Sequence, residues 1–298
     1  MAAHADREAE SWPQVPDAPR PAAELAAFRK LVLEQGLERY RDLPWRRTRD
    51  PYAIWISEVM LQQTQVTRVD GRWQRWLERF PTVEDLAQAE QSDVLVEWQG
   101  MGYNRRALSL LRAARLVAER NAGFPKDLHD LLALPGIGPA TAAGIRAFAF
   151  DLPGVYLETN VRTVFLHELY PREDGVPDKR LVPLVQAACP PDGARAWYYA
   201  LLDYGAWLKR TVPNPSRRSR THVRQSRFEG SHRQKRGEVV RLLLATPEGM
   251  TVARLATVLS NKEQQAGRDA VAPEVVEGLL AELAREGFCR QDHGVWHA

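Results

Sequence analysis

At 298 residues, with 41 basic against 38 acidic side chains and a net charge of +3, the chain exceeds one typical domain and can bury a sizeable core. So small a net charge excludes a uniformly cationic polyanion binder, and any attraction to nucleic acid must come from local clustering. Its two cysteines, Cys189 and Cys289, lack Cys-x-x-Cys spacing, which argues against a disulfide framework or a thiolate-bound cluster and for a reducing cytoplasm.

Residues 1 to about 22 carry four prolines and no hydrophobic period, which reads as a disordered tail and not as a signal peptide. No run of about eighteen apolar residues follows, so no membrane span is expected. From Ala23 the pattern is helical: Trp55, Ile56, Val59 and Met60 recur at three and four, as do Leu108, Leu111, Ala114 and Val117. Turn signals such as Phe80-Pro81-Thr82 separate them, and Thr82 and Ser57-Glu58 read as first-turn capping or acidic residues. A mainly α body over 23–208 follows.

Between Lys209 and Arg236 ten residues are Lys or Arg and only Glu229 is acidic, the composition of a basic linker over 209–235. It reads either as a solvated connector or as a segment that also touches phosphates. Apolar clusters at Val239–Leu243, Val252–Leu259 and Val275–Leu283, then a hairpin pattern over Gly287–Trp296, suggest a winged-helix-like module over 236–298. Such a module can bind duplex DNA or serve as a contact domain.

The richest local signal is Leu134-Pro135-Gly136-Ile137-Gly138-Pro139-Ala140-Thr141. Two glycines two apart ahead of a helix can let backbone N–H groups converge on a phosphate oxygen, aided by the positive helix end. Gly136, Gly138 and Thr141 are therefore candidate phosphate-binding residues, joined by Arg217, Arg218 and Arg220 of the basic segment. A carboxylate, Glu158, stands ahead of Thr159-Asn160-Val161. The seven histidines show no convincing ligand spacing, so no metal site is expected.

Four segments in order, Arg41-Asp42-Leu43-Pro44-Trp45-Arg46, Trp55–Val66 with Glu58 and Gln62-Gln63, Gly102-Tyr103, and Leu134–Gly138, resemble the helix-hairpin-helix DNA glycosylases, within them the adenine (MutY-like) branch. The resemblance covers about Glu24 to Leu208. It implies a two-lobed helical fold that flips a base out of double-stranded DNA, since the glycosidic bond is shielded inside the stack. Gln62, Gln63 and Tyr103 match positions that wedge into the duplex. Glu58 matches the general acid, its apolar setting expected to raise its pKa. Glu158 falls where the pattern has aspartate, and Thr159 where it has glycine; Glu158 is expected to stabilise the cationic sugar or else to cap the helix starting near Asn160.

Arg41, Leu43, Trp45 and Arg46 match positions lining the base pocket, where Ala140 stands in place of a polar or tyrosine side chain. Ala140 also occupies the position of a Schiff-base lysine, which implies a monofunctional enzyme without lyase activity. Relatives commonly bind an iron–sulfur cluster through four cysteines after the catalytic lobe; Leu208–Arg220 has none, so no cluster is expected, and the resemblance allows an alkali cation at the hairpin. The expected activity is excision of adenine opposite guanine or oxidised guanine by a cytoplasmic, nucleoid-associated monomer. A thymine, uracil or other damaged-base glycosylase and a non-catalytic lesion sensor are the alternatives.

Overall fold

In the computed structural model the described residues are 21–120, 122–221 and 227–298; the expected tail and part of the expected linker, including His222, lie outside them. The chain divides into two compact units that interleave in sequence, one formed by Met1–Leu77 with Asn121–Val223 and the other by Glu78–Arg120 with Arg224–Ala298.

The first unit is helical. Among its described residues are α1 (Ala22–Glu38), α2 (Pro51–Leu61), α3 (Val66–Val69) and α4 (Arg72–Arg79), which crosses the unit boundary. After the return at Asn121 come α8 (Leu128–Leu132), α9 (Pro139–Phe150), α10 (Thr159–Leu169), α11 (Asp178–Ala188) and α12 (Ala194–Thr211). Asp50 caps α2 by accepting from the N–H groups of Tyr52 and Ala53, and Pro51 supplies a first residue that needs no donor. Every α2 residue from Tyr52 to Met60 is buried, as expected of a helix apolar on all sides. Helix α12 packs on α1 and α10, and α2 packs on α9. A core of Phe28, Phe148, Phe165, Trp197, Tyr198 and their aliphatic neighbours ties α1, α9, α10, α11 and α12 together.

The second unit joins α5 (Val83–Gln88), α6 (Gln91–Glu97) and α7 (Arg105–Glu119) to α13 (His232–Leu244), α14 (Val252–Gln265), α15 (Pro273–Arg285) and the hairpin β1 (Arg290–Asp292), β2 (Val295–His297). Thr82 and Asp85 form a reciprocal capping box at the start of α5. His293 and Gly294, both at positive φ, make the two-residue hairpin turn. The described part of the basic segment is more ordered than its composition suggested. Residues 209–211 finish α12, Pro215–Arg218 form a short 3-10 turn, and α13 begins at His232, where the Ser231 hydroxyl accepts the Gln234 N–H. Among the described residues no helix is long and apolar enough to cross a membrane.

Candidate active site

Glu58 sits deep in α2, more than two turns past the cap, so it is not the first-turn acid that the Ser57-Glu58 pattern suggested; the helix starts at the Asp50-Pro51 signal instead. Its side chain is buried at 9% exposure. Burial pushes its carboxyl up to about 8, the Tyr156 hydrogen bond pulls the other way, and the charge of Glu158 adds to the rise. Burial holds the Tyr156 hydroxyl well above its usual range, reinforced by the charges of Glu58 and Glu158, so it is a neutral donor toward the carboxyl. Gly144 of α9 makes the room: a Cβ there would overlap Oε2 of Glu58 and lie 2.9 Å from Cε2 of Tyr156.

Glu158 is the N-cap of α10. Its Oε1 accepts from the N–H groups of Asn160 at 2.6 Å and Val161 at 3.0 Å. The helix thereby fixes a carboxylate within electrostatic reach of Glu58 and Tyr156. Lys209 donates to Oδ1 of Asn160 at 2.8 Å, tying the end of α12 to the same first turn. Burial lowers the Lys209 amine, with the charge of Glu158 opposing the shift. A neutral buried acid beside a fixed anion can protonate a leaving group and counter positive charge at the centre that loses it.

Helices α8 and α9 with the turn between them are the helix-hairpin-helix. Gly136 holds φ at +78°, open to glycine, whereas Gly138 has an ordinary φ of −91° as the N-cap of α9. Of the two glycines, only Gly136 takes an angle that favours glycine. At Gly138 a Cβ would meet nothing within 4 Å, so neither backbone angle nor internal packing calls for glycine; the open space suits close approach of a phosphate to the free N–H groups of the helix start. Thr141 is buried and accepts from Nε2 of Gln62 at 3.0 Å, which links the hairpin helix to the end of α2. Ala140, half-buried, brings no amine.

Two of the residues expected to line a base pocket, Arg41 and Arg46, meet one acid of α12. Arg46 forms a bidentate pair with Asp203 of α12 at 2.6 and 2.8 Å, and Arg41 Nε adds a third bond to Asp203 Oδ1 at 2.5 Å. The Arg46 guanidinium also lies over the Tyr199 ring at 4.4 Å. Trp45 is buried edge-on against Trp73, and Leu43, half-buried, caps the short turn that carries Trp45. The buried hydroxyl of Tyr199 has no partner among the described residues, and its pKa is raised by burial first, with Arg195 opposing and Glu58 adding. Asp203, Tyr156 and Tyr199 escaped the sequence reading.

Four non-glycine residues have positive φ among the described residues. Asp151 is the C-cap of α9 and His293 turns the hairpin; the other two are Gln63 at 53° and Tyr103 at 49°, both expected wedges. Left-handed backbone at such residues costs on the order of 1–2 kcal/mol and persists where surrounding structure enforces it. Gln63 is exposed and Tyr103 is 43% exposed.

Arg217 and Arg220 are exposed, but the Arg218 guanidinium is turned inward, donating to the carbonyls of Tyr170 at 2.5 Å and Leu166 at 2.9 Å. It closes the C-terminal end of α10 instead of facing solvent. The residues do not fit an iron–sulfur cluster: Cys189 and Cys289 are both buried, they belong to different units, and burial pushes the Cys289 thiol up to about 11.

A deep helix-hairpin-helix scaffold with a buried acid, a fixed carboxylate and an open glycine turn defines a DNA glycosylase of the base-excision class. In agreement, the description "HhH-GPD superfamily base excision DNA repair protein" matches residues 56–164. The chain is 33% identical over 276 residues to the adenine DNA glycosylase of Mycolicibacterium smegmatis, covering 85% of this chain and 92% of that protein. To the adenine DNA glycosylase of Homo sapiens it is 40% identical over 155 residues, 49% of this chain and 28% of that one. The chain belongs to the helix-hairpin-helix DNA glycosylases, in the MutY-like branch. Among solved structures it is similar to a thermostable thymine-DNA glycosylase, with TM-score 0.55, 26% identity and coverage of 62% of this chain and 87% of that one. An endonuclease III–DNA covalent complex shares the fold, with TM-score 0.50, 16% identity and coverage of 71% and 92%.

Proposed function

We propose that this glycosylase is monofunctional and removes adenine opposite guanine or oxidised guanine, acting as a clusterless monomer on duplex DNA in the nucleoid. The observation that carries the chemistry is Glu58, buried beside Tyr156 with its carboxyl raised to about 8 and therefore protonated at neutral pH. Glu58 gives its proton to a ring nitrogen of the flipped base as the C1′–N bond breaks and the bond's electron pair leaves with the base. Glu158 opposes the positive charge on the sugar. Water adds at C1′, and its proton returns to the Glu58 carboxylate, leaving free base, an abasic site and the acid restored. A positioned general acid contributes about 10²–10⁴-fold in rate. Ala140 supports the absence of lyase chemistry, because no amine stands there to form a Schiff base.

The adenine glycosylase relatives support adenine as the target. A second reading, thymine or uracil mismatches, is supported by the likeness to a thymine-DNA glycosylase at 26% identity. Labelled duplexes carrying adenine opposite guanine or oxidised guanine, or thymine, uracil or hypoxanthine mismatches, are incubated with the protein and half of each is treated with alkali. Alkali-dependent cleavage of the adenine strand is the expected outcome. Cleavage without alkali overturns the monofunctional assignment, and cleavage at another base reassigns the pocket.

A further inference from the structure

We infer that Arg233 is a positioning residue for Tyr103 and that the C-terminal three-helix module braces the Tyr103 loop instead of serving as a second phosphate-binding body; this rests on the reading of Tyr103 as a wedge.

The loop before α7 turns through Gly100, Gly102 and Tyr103, all at positive φ. Its backbone is fastened from its own side: Trp98 Nε1 donates to the Gly102 carbonyl at 3.1 Å, and Arg106 Nη2 donates to the carbonyls of Met101 and Gly102 at 3.0 Å each. The Arg106 guanidinium lies 5.1 Å from the Trp98 ring centroid and 5.6 Å from that of Tyr103, so one ring face is also covered. The phenol is also held from the module. Arg233 Nη1, on the first turn of α13, donates to Tyr103 Oη at 3.2 Å, while its guanidinium lies 5.8 Å from the Phe228 ring centroid.

The module is seated on both elements that flank the loop. Gln91 Nε2 of α6 donates to the Gly287 carbonyl at 2.6 Å, and Arg105, which opens α7, pairs with Glu286 at 3.2 Å. Glu286 also accepts from Arg236 at 2.9 Å, so α7, α13 and the end of α15 meet at one carboxylate. Charge argues against a phosphate grip: from Phe228 to Ala298 ten residues are acidic and nine basic. The cations of α13 are already engaged, Lys235 with Glu263, Arg236 with Glu282 and Glu286, and Arg241 with Glu238. A wedge acts only if the ring is presented before it meets the stack, and a module holding its hydroxyl supplies that preorganisation.

The test compares the full chain with R233A, R233K, Y103F, Y103A and the R233A/Y103F double variant on duplexes carrying 2-aminopurine at the target position, following fluorescence as the base leaves the stack. R233A and Y103F are each expected to slow flipping about ten-fold, as loss of one charge-assisted hydrogen bond would, with the double variant no slower than either single. R233K, which keeps a charged donor, restores most of the rate. Excision from single-stranded DNA, where the target base is already unpaired, stays at the parent rate for R233A. Parent-like flipping by R233A, additive losses in the double variant, or a uniform loss of affinity for all duplexes with a shallower salt dependence each overturn the inference, the last by making Arg233 a phosphate contact. If Y103A itself flips like the parent, the wedge reading fails and this inference with it, a result distinct from failure at Arg233 alone.

Discussion

Replacing Glu58 by Gln is expected to abolish turnover and at the same time to stabilise the fold as pH rises. The native carboxyl titrates at about 8, against 4.5 for an unperturbed glutamate. Between those values the folded chain holds a proton that the unfolded chain has released, so the parent loses stability as pH climbs through that window. Below 4.5 both states are protonated and the effect vanishes; above 8 both are ionised and the loss is complete. At about 1.4 kcal/mol per pKa unit the full loss approaches roughly 5 kcal/mol, and about 2 kcal/mol of it falls between pH 6 and pH 7.5. An uncharged amide of the same shape is insensitive to pH, so the advantage of Glu58→Gln over the parent should widen by that amount, about 4–8 °C in melting temperature. Thermal melts of both proteins across pH 5.5 to 8.5, paired with single-turnover excision, read both effects. A stability difference that stays constant over that range would refute a proton held on Glu58, and residual excision near the parent rate would remove its role as acid.

Tyr156→Phe deletes the donor that lowers the Glu58 carboxyl, so the alkaline limb of the single-turnover pH profile should move to higher pH while the plateau rate falls about ten-fold; an unmoved limb would leave Tyr156 with a packing role only. Asp203→Ala strands the buried Arg46 charge and should cost about 3–5 kcal/mol in urea unfolding, whereas a loss under about 1 kcal/mol would show that the pair carries little of the fold. Charge reversal at the exposed Arg217 and Arg220 should weaken binding to any duplex and flatten its salt dependence, while Arg218→Ala, which strips donors from the carbonyls of Tyr170 and Leu166, should act mainly on melting temperature; a reversed division between the three overturns the distinction.

Local pattern made part of this site readable. The glycine turn, the apolar setting of Glu58 and the carboxylate ahead of α10 each depend on neighbours within a few residues, and the structure keeps them together in one unit. The start of α2 was also written locally, as Asp50-Pro51, but Ser57-Glu58 imitated a helix start. What pattern could not supply is partner choice across the chain. The guanidiniums of Arg41 and Arg46 both converge on Asp203, on a helix at the far end of the unit's sequence. A lone acid in the otherwise apolar run Tyr198–Trp207 was the available hint, because burying a carboxylate demands a cationic partner. Composition likewise gave the charge of the 209–235 segment, but not that one of its arginines turns inward.

That inward arginine explains how a segment with no cluster cysteines can be held in register with the site. Val176 and the 218–220 backbone exchange two hydrogen bonds, Val176 N–H to the Arg218 carbonyl and Arg220 N–H to the Val176 carbonyl, each at 3.0 Å. The Arg218 side chain then fastens the C-terminal carbonyls of α10, whose N-terminus Glu158 caps. Lys209, at the other end of the same segment, reaches Asn160 in the first turn of that helix. Helix α10 is therefore pinned at both ends by this stretch. The exposed guanidiniums of Arg217 and Arg220 flank Arg218 and Ser219, so their backbone positions are tied to the helix that Glu158 caps.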